Sequence, residues 1–245
     1  MLQILHAKPS PLPPNEVHIM SDLLEAIEIE TAPNPAAAVI WLHGLGADGN
    51  DFAPIVPELR LAGAPAIRFV FPHAPMMAVT INNGHVMRAW YDVSFGDLEG
   101  NTRRADETGV RASQASVGQL IEREISHGIP ARRIVIAGFS QGGAIALQTG
   151  VRYPHRLAGI MALSTYLPIP DRLEAEASAA NRDVPIFYAH GTHDPVIPLA
   201  MATASVAKLT AAGYRVEWQE YPMQHSVCAE EVGAVSAWLS RVLSA

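Results

Sequence analysis

The sequence predicts an α/β protein, a single domain with a mainly parallel central sheet and helices on both faces. Three observations carry this. Short continuous apolar runs at residues 36–42 (AAAVIWL), 67–71, 134–139, 157–163 and 186–190 have strand length and no polar alternation, the pattern of strands covered on both faces. Segments with apolar residues at helical spacing separate them, so strands and helices alternate as in βαβ units, which pair their strands in parallel. With 245 residues and nothing dividing them internally, the chain fits one large domain with a substantial core.

Residues 1–20 carry Pro9, Pro11, Pro13 and Pro14, a spacing that favours extended or irregular backbone over a packed element. They read as a flexible extension to a domain of residues 21–245. Residues 24–31 alternate apolar and acidic side chains, as a half-exposed edge strand does, and Pro33 and Pro35 turn the chain. The buried run at 36–42 ends in His43-Gly44-Leu45-Gly46. Asn50 or Asp51 is placed to cap a helix whose apolar residues Phe52, Ile55, Val56 and Leu59 recur at helical spacing up to Gly63. After the strand at 67–71 and Pro72-His73-Ala74-Pro75, residues 76–106 show no helical period. They hold a turn signal, Asn82-Asn83-Gly84, then Arg88-Ala89-Trp90-Tyr91-Asp92 and a loop at 94–104. A connection this long in a compact domain is more often functional than idle. A surface ion pair between Arg88 and Asp92 is expected.

Asp106 caps a helix running to His127, closed by Gly128 with Pro130 beyond it. The strand at 134–139 passes through Gly138-Phe139-Ser140-Gln141-Gly142 directly into a small-residue helix that stops before Pro154. A strand at 157–163 follows, then a proline-punctuated loop at 164–181 with a short alanine-rich helix. The strand at 186–190 ends in Gly191-Thr192-His193-Asp194-Pro195. Leu199, Ala202, Val206 and Leu209 mark a helix ended by Gly213, and residues 214–221 the last strand. Met223-Gln224-His225-Ser226 is a loop. The closing amphipathic helix begins with Glu230 and Glu231, where negative charge suits the positive end of the helix dipole.

Composition removes several functional classes. Apolar residues make up 49% and charged residues 17% of the chain, as in a folded globular protein rather than a disordered or fibrous one. A formal charge of -7 with no cluster of Lys and Arg argues against a nucleic-acid partner, because neutralising phosphates requires clustered cations. The single cysteine, Cys228, precludes an internal disulfide. No apolar stretch approaches the roughly 18 residues of a membrane span, and no basic region followed by an apolar one opens the chain. Neither integral membrane association nor a secretory signal is expected, and a cytoplasmic location is.

The chemistry centres on Ser140. Glycines on both sides let the chain reverse tightly and project the hydroxyl beyond the sheet edge, so G-x-S-x-G at a strand–turn–helix junction is a nucleophile elbow. In open α/β sheets the site lies outside the carboxyl ends of the strands, and Leu45, Ser140, Asp194 and His225 all fall at such ends. A free serine hydroxyl is a poor nucleophile and needs an adjacent base; the base needs a carboxylate to fix its tautomer and stabilise the imidazolium. Ser140, Asp194 and His225 supply these groups in a chain order known for this chemistry. His190 and His193 are rival bases. His193 adjoins Asp194, and adjacent residues rarely aim their side chains at each other in the required geometry, so His225 is preferred. His190, His193 and Asp194 match no helical zinc spacing and no second cluster supports them, so no metal is expected.

Negative charge on the tetrahedral intermediate calls for amide donors, each worth about 3 kcal/mol. Gln141 supplies one N–H at the helix start, and Leu45, flanked by glycines in the turn after 36–42, the other. Trp90 and the loop at 94–104, with Leu98, are candidates for the acyl pocket, an ordinary core position being the alternative for Trp90.

Seven segments in order, WLHGLGADGNDF, FPHAP, RAWYD, GFSQGGAIAL, ALSTYLP, HGTHDPVIP and YPMQHSVC, make the sequence similar to the carboxylesterase, lysophospholipase and acyl-protein thioesterase family of α/β-hydrolases. The resemblance runs from about residue 36 to the end and implies a single-domain α/β-hydrolase. It implies Ser140 as nucleophile, His225 as base then acid, Asp194 as its orienting partner, and the Leu45 and Gln141 amides as oxyanion hole. It further implies a small-molecule ester or acylated substrate and no metal or organic cofactor. It admits a homodimer, although no sequence feature marks an interface. Residues 1–20 fall outside it, either as a lineage-specific tail or because the effective start is Met20 or a nearby site. The expected reaction is acyl transfer to water from short- to medium-chain carboxylic esters. Acyl-protein thioesterase or lysophospholipase action is the variant, and a non-catalytic ligand-binding protein on the same fold is the alternative of another class.

Overall fold

The computed structural model describes residues 23–94 and 106–244. In chain order the strands are β1 (Ala26–Glu30), β2 (Ala37–Leu42), β3 (Ile67–Pro72), β4 (Met76–Val79), β5 (His85–Arg88), β6 (Ile134–Phe139), β7 (Gly159–Leu163), β8 (Ile186–Gly191) and β9 (Val216–Tyr221). The helices are α1 (Glu107–Ser126), α2 (Gln141–Gly150), α3 (Leu173–Glu176), α4 (Leu199–Ala211) and α5 (Ala229–Ser244). Seven strands form one sheet in the order β1-β3-β2-β6-β7-β8-β9, and β4 with β5 forms a separate hairpin. Every pairing in the large sheet is parallel except β1 with β3, the edge strand that the alternation at 24–31 predicts.

The continuous apolar runs explain the layering. Along β2, Ala38, Ile40 and Leu42 enter one core with residues of α1, α2 and α4, while Ala37, Val39 and Trp41 enter a second core with α5. A strand buried on both faces has no position to spare for a polar side chain, and all six residues of β2 are buried. Asp106 caps α1 as predicted, its Oδ1 accepting from Gly109 N at 2.9 Å, and Gly128 beyond the helix end takes φ 92°.

The structure corrects four local expectations. Residues 52–59 form only a short 3-10 turn, Ala53–Glu58, with no side-chain cap. Pro54 and Pro57 are the reason, since neither offers an N–H and the Pro57 ring obstructs the preceding turn. Asp48, not Asn50 or Asp51, makes the local turn bond, accepting from Asn50 N at 2.8 Å. Residues 76–88, within the long connection that shows no helical period, form a hairpin whose tip is at the expected turn signal, Asn83 and Gly84 both taking positive φ. Arg88 and Asp92 form no ion pair with each other: Arg88 donates to Ala74 O at 2.8 Å, and Asp92 accepts from Thr80 N at 2.7 Å and Thr80 Oγ1 at 2.6 Å. Finally, Glu230 is exposed at the start of α5 as expected, but Glu231 is 0% exposed. Its carboxyl oxygens have no hydrogen-bond partner among the described residues; burial, partly offset by the nearby Cys228 amide, pushes its pKa up to about 8. The predicted extension at 1–20 and Leu98 lie outside the described residues.

Candidate active site

The strand order places the site. β3 and β1 lie on one side of β2, and β6 to β9 on the other, so successive connections leave β2 in opposite directions and open a crevice at the carboxyl ends of β2 and β6. Leu42 is registered against Gly138, so the turn carrying His43-Gly44-Leu45-Gly46 and the turn carrying Ser140 leave the sheet side by side.

Ser140 adopts φ 54° and ψ -122°, a conformation that costs an L-residue of order 1–3 kcal/mol. Its neighbours hold it there. Ser140 N donates to Leu163 O at 2.9 Å, and the Thr165 hydroxyl donates to Ser140 O at 2.6 Å, so the end of β7 grips both sides of the residue. Gly142 lets the elbow close on β2, because a Cβ there would stand 2.6 Å from the Leu42 carbonyl carbon and nearer still to the Leu42 and His43 oxygens. Among the described residues the Ser140 hydroxyl makes no hydrogen bond, which leaves Oγ available to a reactant.

Asp194 and His225 come together although they follow different strands. His225 Nδ1 lies 2.7 Å from Asp194 Oδ2, and its ring centroid lies 4.7 Å from that of Phe139, the residue before Ser140. The two loops are zipped by Thr192 N to Tyr221 O at 2.8 Å and His193 N to Met223 O at 3.1 Å. The Asp194 side chain is fully buried, and its Oδ1 accepts from Val196 N at 2.8 Å and Ile197 N at 2.9 Å. A carboxylate so anchored accepts a hydrogen bond from His225 Nδ1–H and leaves the Nε2 lone pair free for a hydroxyl.

The rival bases are accounted for. His190 is wholly buried, its Nε2 donating to Ile197 O at 2.9 Å and standing 3.6 Å from Asp194 Oδ2. Burial lowers its pKa, so it stays neutral beneath the carboxylate and out of reach of a substrate. His193 pairs with Thr192 Oγ1 at 3.2 Å rather than with Asp194. Among the described residues no three His, Cys, Asp or Glu side chains converge to hold a metal ion.

Ser140, Leu45 and Gln141 share one pocket of about 210 Å³. Neighbouring amides are engaged, Gly46 N with Arg88 O and Ala47 N with Gly44 O, whereas the Leu45 and Gln141 amides take no backbone acceptor among the described residues. The remaining wall is mostly apolar, made by Ile81, Val93, Val196 and Ile197, with Asn82 and Tyr166 as polar groups. A larger groove of about 620 Å³ lies at the opposite ends of β8 and β9 and holds neither a serine nor a histidine.

Trp90 is placed differently from the acyl-pocket expectation. It is 2% exposed, absent from the pocket wall, and its indole Nε1 donates to His43 O at 2.9 Å. The RAWYD segment passes behind the site because Gln141 Oε1 accepts from Trp90 N at 2.8 Å and Gln141 Nε2 donates to Tyr91 O at 2.7 Å. Sequence reasoning missed the wall residues Ile81, Asn82, Val93, Tyr166, Val196 and Ile197. For the first two a signal was present, since short apolar runs flank Asn83-Gly84 as in a hairpin; for the other four, each in irregular backbone, none was.

Known proteins resemble the chain along most of its length. The model of the phospholipase/carboxylesterase family matches residues 24–243. Acyl-protein thioesterase 1 of Neurospora crassa is 41% identical over 213 residues, covering 84% of this chain and 87% of that protein. Acyl-protein thioesterase 1 of Cryptococcus neoformans is 34% identical over 238 residues, covering 91% of this chain and all of that protein. The crystal structure of Arabidopsis thaliana SOBER1 superposes with a TM-score of 0.79 at 31% identity, covering 84% of this chain and 99% of that one.

Proposed function

The chain belongs to the phospholipase/carboxylesterase family of α/β-hydrolases, and on that premise we propose that it is a serine hydrolase that moves an acyl group from an ester or thioester to water. The observation that carries this reading is the 2.7 Å contact between His225 Nδ1 and Asp194 Oδ2 beside the constrained elbow of Ser140. His225 Nε2 takes the proton of Ser140 as Oγ attacks the acyl carbonyl. The oxygen, now negative, lies between the Leu45 and Gln141 amides. Collapse expels the alcohol or thiol, which receives the proton from His225. A water then attacks the acyl-enzyme by the same route, releasing the carboxylic acid and free Ser140. Buried Asp194 keeps the imidazole in the tautomer that does this and stabilises the imidazolium between the two proton transfers.

The pocket of about 210 Å³ falls below the roughly 300–1,000 Å³ that enclose drug-sized ligands, which favours short- to medium-chain acyl groups. The names of the relatives favour a second reading, removal of acyl groups from protein thiols. Esters graded from acetyl to palmitoyl, assayed beside an S-acylated peptide, separate the two. The ester reading expects kcat/KM to peak at short or medium chains and to collapse beyond them. Highest kcat/KM on the long-chain acylated peptide would replace it with the thioesterase reading, and no turnover of any member would leave a binding protein.

A further inference from the structure

Both oxyanion amides are tied to one residue behind them. On one side, Gln141, which lines the pocket and whose backbone N–H takes no backbone acceptor among the described residues, uses its side chain to hold the peptide groups of Trp90 and Tyr91. On the other, the Trp90 indole holds His43 O at 2.9 Å, with the two rings 5.3 Å apart between centroids. Ser113 Oγ donates to Trp90 O and so fixes Trp90 from α1.

His43 completes the connection. Its Nε2 accepts from Ala74 N at 3.1 Å, so the ring proton resides on Nδ1, 2.7 Å from Gly44 O. Burial lowers the pKa of His43 and keeps this neutral tautomer. Gly44 O also accepts from Ala47 N at 3.2 Å. In a trans peptide the carbonyl and the following N–H point in opposite directions, so anchoring Gly44 O on the inner side turns the Leu45 N–H toward the pocket that Leu45 lines.

We propose that Trp90, with the side chains of Gln141 and His43, is a positioning strut that fixes the two oxyanion amides relative to each other. The three residues touch no substrate through these side chains; they act on the orientation of two peptide groups. The proposal rests on the acyl-transfer reading above and deepens it. It also accounts for a Trp buried where an acyl-pocket residue was expected, and for a Gln at the first position of α2 that is 4% exposed rather than solvated.

The test compares Trp90→Phe, Gln141→Met and the double variant in the full chain, with active sites counted by titration with a fluorophosphonate. Misaligned oxyanion donors lower kcat by about 10- to 100-fold while KM stays within about twofold, because the ground-state ester hardly uses the hole. The Ki of a trifluoromethyl ketone, whose tetrahedral adduct places its oxyanion there, rises by the factor that kcat/KM falls. The double variant loses no more than the worse single one, since both cut the same strut. Wild-type kcat in a titratable variant, an unchanged ketone Ki, or additive losses would each overturn the proposal. His43→Asn and His43→Leu read the strut from its other end even if the Trp90 and Gln141 variants do not fold. The first keeps a donor for Gly44 O and retains most activity, the second loses kcat, and equal activity in the two overturns the proposal. Failure of wild-type Ser140 to titrate would defeat the acyl-transfer reading itself, whereas a titrating wild type with unaffected variants defeats the strut alone.

Discussion

Asp194→Asn changes one atom and, from the contacts around it, has one available outcome. An asparagine at this position keeps its side-chain oxygen on the Val196 and Ile197 amides, which approach the native carboxylate at 2.8 and 2.9 Å. The flipped amide would face two N–H donors with a third, leaving two buried donors unsatisfied at about 1–3 kcal/mol each. The NH2 therefore points at His225 Nδ1, 2.7 Å away in the native contact, and donates to it. The imidazole proton is forced onto Nε2, the nitrogen that must accept from Ser140, and the imidazolium loses its counter-charge. A loss of about 10³- to 10⁴-fold in kcat follows, equivalent to about 4–5.5 kcal/mol of barrier. KM and thermal stability change little, because the fold keeps both amide bonds. Steady-state hydrolysis of an ester by protein of matched circular dichroism measures it. A kcat within tenfold of wild type would refute the assignment of Asp194 as the orienting carboxylate.

Two further predictions address the frame of the site. Gly142→Ala puts a Cβ 2.6 Å from the Leu42 carbonyl carbon, so the elbow must move away from β2. About 1–3 kcal/mol of overpacking lowers the melting temperature by about 2–12 °C in a domain of this size, and ester turnover falls with it; wild-type values for both would contradict the close approach. Glu231→Gln tests the buried carboxyl of α5. Its pKa rises from 4.5 to about 8 on folding, so between those values the folded state holds a proton that the unfolded state has released, and stability declines as pH rises. The decline is absent below the lower value and complete above the upper one. Urea unfolding at pH 5 and pH 8.5 should show the wild type losing stability relative to Glu231→Gln, by an amount on the order of 4 kcal/mol; parallel changes in the two proteins would show that Glu231 is ionised throughout.

The fold was legible because its signals are redundant along the chain. A strand covered on both faces must be apolar throughout, and β2, β6, β7 and β8 advertise this in their composition. The candidate triad was legible for a related reason: strand ends are readable, and the three residues sit just beyond three of them. The misreadings came where local and tertiary preferences compete. Phe52, Ile55, Val56 and Leu59 have helical spacing, but the prolines among them limit the segment to a 3-10 turn. Glu231 sits where an acidic residue favours a helix start, yet helix periodicity alone does not reveal that this position turns inward. Trp90 illustrates the limit most directly. Its sequence context marks it as close to the site, and it is; which side of the His43-Gly44-Leu45-Gly46 turn it occupies depends on the Gln141 side chain and the His43 carbonyl, contacts made across 51 and 47 residues of chain respectively.

The proposed reaction turns on Ser140 Oγ as the atom that receives the acyl group. Reaction of the full chain with a fluorophosphonate, followed by proteolysis and peptide mapping, tests this directly. One adduct per chain on the peptide bearing Gly138-Phe139-Ser140-Gln141-Gly142, lost together with ester hydrolysis in Ser140→Ala, is the predicted result. An unlabelled protein that still hydrolyses esters, an adduct on another residue, or hydrolysis undiminished in Ser140→Ala would contradict it.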